Sequence, residues 1–189
     1  RIDAHRLRHE APTRLCYIGS VLRTLGDGFS GSRSPLQIGA ELYGHAGVES
    51  DVEIVCLMME TLRVSGLENV YLDLGHVGIF RALAAAAGLN EDQEADLFEA
   101  LQRKATTEIE ALVDGFGLGA EMRGMLTVLA ELNGDAEVLP RARAVLAGAP
   151  AAVAEAIDYV EAVAAQLHQH LPDLPVHFDL AELRAYHYQ

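Results

Sequence analysis

The chain has 189 residues and a mass of 20.4 kDa, enough for one sizeable domain or one domain carrying an insertion. Half of the residues are apolar and 22% are charged, a balance that excludes wholesale disorder. The net charge of −14 is unevenly spread: residues 1–33 hold six arginines against three acidic residues, the remainder eight basic against 25 acidic. That excludes a diffuse phosphate-binding surface and leaves room only for a local anion site near the start.

No run of 18 apolar residues and no signal-peptide pattern occurs, so a cytoplasmic protein away from membranes is expected. Cys16 and Cys56 lie 40 residues apart inside apolar runs and read as reduced core thiols. The chain begins with Arg1 rather than Met and ends in a strand-like Tyr186-His187-Tyr188-Gln189, which reads as an internal piece of a longer protein.

In chain order, residues 1–10 have the pattern of a helix end. Arg14 to Arg23 (RLCYIGSVLR) is rich in β-branched and aromatic residues and predicts a strand. Leu36 to Gly44 (LQIGAELYG) alternates strictly, with Leu36, Ile38, Ala40 and Leu42 on one face and Gln37, Gly39, Glu41 and Tyr43 on the other. This predicts a half-buried antiparallel strand with the aliphatic face inward. The Gly/Ser-rich TLGDGFSGSRS between them predicts a long, mobile hairpin loop.

Ser50 and Glu53 have the spacing of a capping box before an apolar helix that stops near Gly66. Val70 to Leu74 predicts a strand, and Gly78 to Ala87 a helix ended by Gly88. Residues 89–172 then read as almost wholly helical, with 15 acidic and five basic residues. Asn90 and Gln93 cap the first of these helices, breaks fall at 115–119, 133–134 and 148, and Pro150 opens the last one. Strand patterning returns at Val176 to Leu180 and Leu183 to Tyr188. The expected class is α+β: an antiparallel sheet with flanking helices plus an all-helical insertion. The expected organisation is a core over 1–88 with its hairpin at 14–44, the insertion over 89–173, and returning core strands over 174–189.

The polar face of the hairpin is the informative feature. Gln37 and Glu41 project together within about 13 Å along the strand, and Arg23 stands at the mouth of the loop. A free amino acid needs oxygen acceptors for its ammonium and a guanidinium for its carboxylate, and this trio offers both. The same residues also fit a solvated sheet face with an incidental salt bridge. Arg33 in the loop is placed for a phosphate contact. His168 and His170 diverge on a helix, and His177 and His187 fall in separate strands, so no metal site is expected.

These residues carry a resemblance. Arg14 to Gly44 is similar to motif 2 of class II aminoacyl-tRNA synthetases in its histidyl form. The resemblance implies that Arg23 contacts an α-phosphate and an amino acid carboxylate, and that Gln37 and Glu41 hold the histidine ammonium. VYLDLGHVGIFRALAAAAGL (Val70 to Leu89) and FDLAELRAYHYQ (Phe178 to Gln189) resemble the non-catalytic branch of that family, the regulatory subunits of ATP phosphoribosyltransferase. Three departures from the catalytic branch stand out: Leu25 replaces the acidic residue two positions after the motif arginine, Glu182 falls where that branch carries an arginine that helps activate histidine, and the block aligned with the family's tRNA-proximal insertion is strongly acidic.

The resemblance therefore implies a non-catalytic subunit with no cofactor of its own, serving the first step of histidine biosynthesis and its feedback control by histidine. It implies a hetero-oligomer with the short-form catalytic subunit, a homodimer, histidine as ligand, and no nucleic-acid partner. Two alternatives are a fragment of a true histidyl-tRNA synthetase and a stand-alone amino acid sensor.

Overall fold

The computed structural model describes residues 12–22 and 33–183 of the chain. The helix expected over 1–10, most of the hairpin loop and the last expected strand beyond Leu183 lie outside these residues. The chain divides into two units, one ending at Gly66 and one starting at Leu67.

In the first unit, β1 (Thr13–Ser20) and β2 (Leu36–Tyr43) form an antiparallel ribbon. Its register runs from Thr13 opposite Tyr43 to Ser20 opposite Leu36, and Val21 N–H donates to Pro35 O one step beyond. Helix α1 (Val48–Val64) follows. It starts before the expected capping box: Gly47 is the N-cap, and Ser50 lies buried inside the first turn with Oγ 2.6 Å from His45 Nδ1. Glu53, freed from capping, receives the Arg14 guanidinium through two hydrogen bonds and ties α1 to the ribbon.

The ribbon corrects two expectations. Ala40 and Leu42 are half-buried, but Leu36 is 71% and Ile38 66% exposed, so the aliphatic face is covered only towards the Arg14–Leu42 end. Cys16 is exposed and Cys56 half-buried, so neither is a core thiol. The reason is the same for both: a two-stranded ribbon anchored to one helix at one end cannot bury a full face.

The second unit holds the core. After β3 (Leu72–Leu74) come helices α2 (Val77–Ala87), α3 (Glu91–Gln102), α4 (Thr106–Gly115) and α5 (Ala120–Val128). A 3-10 turn (Leu129–Glu131), the two-residue β4 (Asn133–Gly134), α6 (Val138–Val145), α7 (Ala151–His170) and β5 (Val176–Asp179) complete it. Gly88, at φ +67, closes α2 in the left-handed conformation that favours glycine, and its N–H bonds the Ala84 and Ala85 carbonyls. Asn90 and Gln93 form the expected capping box on α3, and α4 and α5 break at the expected glycines. Ile79, Phe80, Leu83, Leu97, Leu101, Ile109, Leu126 and Ile157 are wholly buried in one continuous cluster.

The sheet order is β3-β5-β4, and β3 pairs with β5 in parallel while β4 pairs with β5 antiparallel. An all-antiparallel sheet is thus corrected to a mixed one. Parallel neighbours require a long crossover, and the helical run from α2 to α7 supplies it. Mixed helix and sheet in these proportions make the chain α+β. Among the described residues no helix is long and apolar enough to cross a membrane.

Candidate functional site on the ribbon face

Period-two geometry puts residues 37, 39, 41 and 43 of β2 on one face, and the register adds Tyr17 opposite Gly39 and Leu15 opposite Glu41. Gln37 and Glu41 are therefore brought to the same face, as the alternation predicted. Two tyrosines join them. Gln37 Nε2 donates to the Tyr17 hydroxyl at 2.8 Å, and the Tyr43 hydroxyl donates to the Glu41 carboxylate. The Tyr43 phenol is held above its ordinary pKa, first by that hydrogen bond and then by desolvation and the Glu41 charge.

Chemically, this face offers one carboxylate, one amide and two phenols in a row. Carboxylate and amide oxygens accept from an ammonium, and phenols can do either. Of the other expected site residues, Arg23 lies outside the described residues, and Arg33 is exposed just ahead of β2. Reading from the sequence missed Tyr17 and Tyr43; the signal for Tyr43 was its place in the same alternation, and Tyr17 needed the cross-strand register.

The second unit holds a separate polar cleft of about 430 Å³, lined by Asp73, Lys104, His177, Asp179 and Glu182 among others. The parallel register sets Asp73 beside His177, whose Nδ1–H donates to Asp73 Oδ1 at 2.9 Å. Asp179 is 6% exposed; it accepts from Ala181 N–H at 3.1 Å and pairs with Lys104 Nζ at 2.6 Å. Lys104 is the only lysine in the sequence and, among the described residues, the only non-glycine with positive φ, at +50. The carboxylates of Asp73, Asp179 and Glu182 lie within 4.8 Å of one another, the closest approach to a metal-ligand set among the described residues. Lys104 engages Asp179 and His177 engages Asp73, so two of these three carboxylates are tied to neighbouring side chains.

The chain combines an antiparallel ribbon with a polar face and a helix-rich mixed α+β unit. The sequence profile of the family described as Histidyl-tRNA synthetase matches residues 1–189, and the chain belongs to that family. Within it, the chain is 56% identical over 188 residues to a protein of Thioalkalivibrio sulfidiphilus named ATP phosphoribosyltransferase regulatory subunit, covering all of this chain and 48% of that one. It is 58% identical to a protein of the same name from Alkalilimnicola ehrlichii, covering 47% of it. The chain thus spans about half the length of the curated relatives it matches.

Two solved structures share the fold. A Bacillus halodurans protein described as an ATP phosphoribosyltransferase regulatory subunit/histidyl-tRNA synthetase superposes with a TM-score of 0.80 at 26% identity, covering 95% of this chain and 46% of that one. A chain of the ATP phosphoribosyl transferase (HisG:HisZ) complex from Thermotoga maritima gives 0.66 at 19% identity, over 95% and 61%, a likeness of fold alone.

Proposed function

We propose that this chain is part of a non-catalytic regulatory subunit of ATP phosphoribosyltransferase, acting in the cytoplasm in the first step of histidine biosynthesis. The observation that carries this reading is identity above 50% to proteins of that name along the whole chain. The partner is the short-form catalytic subunit, in a hetero-oligomer built on a homodimer of the regulatory chain. Residues 1–88 and 174–189 belong to an incomplete synthetase-like core, and 89–173 form a mostly helical insertion in it.

The ribbon face is the amino acid site: Gln37 and Glu41 accept from the histidine ammonium, Arg23 pairs with the carboxylate, and Arg33 reaches a phosphate. Feedback then follows from linkage. Histidine binds one state of the mixed oligomer more tightly and shifts the equilibrium by that difference in affinity, no more.

The family profile itself supports a second reading, a histidyl-tRNA synthetase fragment. One pair of assays on the full-length protein separates the two. A regulatory subunit restores histidine-sensitive pyrophosphate release from ATP and phosphoribosyl pyrophosphate when mixed with the short-form catalytic subunit, and shows no histidine-dependent ATP–pyrophosphate exchange alone. Robust exchange without any effect on the phosphoribosyltransferase would reverse the assignment. Glu41→Gln removes one negative acceptor, and a drop in histidine affinity of about tenfold in calorimetry is expected; unchanged affinity removes Glu41 from the site.

A further inference from the structure

We propose that Tyr17 is a positioning residue for amino acid capture: its phenol, lodged over Gly39, holds the Gln37 amide with its oxygen turned outward as an acceptor. This rests on reading the ribbon face as an amino acid site, and deepens it by naming what orients one of its acceptors.

The argument begins with Gly39. Glycine weakens a strand interior, having no side chain to pack and more backbone entropy to lose. Gly39 is not among the glycines with positive φ, so its backbone does not demand glycine. What it supplies is space. A Cβ at position 39 would lie 2.8 Å from Tyr17 Cε1 and closer still to Cζ and the hydroxyl. The ring of the residue opposite in the register occupies the room where a side chain would stand.

From that seat the Tyr17 hydroxyl accepts from Gln37 Nε2 at 2.8 Å. A glutamine side chain alone is long, exposed and able to present either its NH₂ or its oxygen to a ligand. An NH₂ facing an ammonium is repulsive, whereas the oxygen accepts from it. Engagement of Nε2 at the phenol leaves the oxygen as the amide atom that faces a ligand. It also spends part of the rotamer entropy that binding would otherwise cost. Tyrosine suits the task because only two torsions position its hydroxyl, and the Gly39 seat limits both. At the far end of the face the Tyr43 phenol donates to Glu41, so each ammonium acceptor touches a tyrosine hydroxyl, one bond accepted by the phenol and the other donated by it.

The test is L-histidine affinity of the full-length protein by calorimetry, with thermal midpoints measured alongside. Tyr17→Phe keeps the ring and deletes the hydroxyl; affinity falls about fivefold to tenfold while the midpoint stays put. Gly39→Ala pushes the ring off its seat and gives a similar loss, again without lowering the midpoint, since the neighbouring ring is at the surface and can swing away. In a Gln37→Ala background, Tyr17→Phe adds no further loss. Unchanged histidine affinity in Tyr17→Phe, or an equal loss with and without Gln37, overturns the positioning role and leaves the pocket standing. Failure of the unaltered protein to bind histidine overturns both.

Discussion

Glu41 and Tyr43 sit two residues apart on β2, and strand geometry alone makes them neighbours on one face. The phenol donates to the carboxylate, so ionising Tyr43 would place two negative charges side by side. Its folded pKa is raised first because ionisation would lose that hydrogen bond, with desolvation and the Glu41 charge adding to it. The sign follows: whatever stability the pair contributes is present below the ordinary tyrosine value and is lost as pH climbs through the raised one. A spectrophotometric titration should show one tyrosine ionising above the rest, and Glu41→Gln should bring it back among them. A wild-type curve with no late tyrosine would contradict the pairing. Glu53 behaves in the opposite sense. The Arg14 hydrogen bonds lower its pKa, so the tie between ribbon and α1 holds above the ordinary glutamate range and loosens as pH falls through the lowered value.

At the scale of elements, two junctions in the helical run are open to single substitutions. The Asn90–Gln93 box satisfies backbone N–H groups at both the cap and the third position of α3. Asn90→Ala should cost about 1 kcal/mol in urea unfolding; a negligible change would mean that neighbouring packing, not the cap, holds that end. Between α3 and α4, Lys104 adopts a left-handed backbone and carries its ammonium to the buried carboxylate of Asp179 on β5. Lys104→Met keeps the backbone strain and strips Asp179 of its cation, at a cost of about 1–2 kcal/mol given that the lysine is partly in water. Lys104→Gly loses the same pair but relieves the positive φ, and should be less damaging by about 0.5–1 kcal/mol. If the two variants unfold alike, the strain is not real.

For the whole molecule, charge is the broadest determinant. Acidic residues outnumber basic ones two to one, and α3 opens with Glu91, Asp92 and Glu94 in its first turn. Affinity for nucleic acid comes largely from cations that neutralise phosphates, and the balance after residue 33 is strongly against it. The full-length protein should therefore leave tRNA unshifted in gel mobility at physiological salt; tight, salt-sensitive retardation would favour the synthetase reading. Much of the fold was legible in advance because its signals are local. The alternation of β2, the turn glycine at Gly88, the Asn90 box and the break points of the helical run each rest on a few adjacent residues. The Ser50 box failed because a part-buried hydrogen bond to His45 and an ion pair to Arg14, 39 residues away, took the two residues that would have formed it.

The linear order of residues was sufficient to determine which positions of β2 share a face, and so to single out Gln37 and Glu41, because side-chain direction along a strand has a period of two whatever lies around it. Tertiary structure alone decided that Tyr17 stands over Gly39, that Asp73 meets His177 in a parallel register, and that Leu36 and Ile38 face outward. Those outcomes depend on which strand lies opposite and how far one helix can reach, and cross-strand partners distant in sequence leave no periodic trace in either segment.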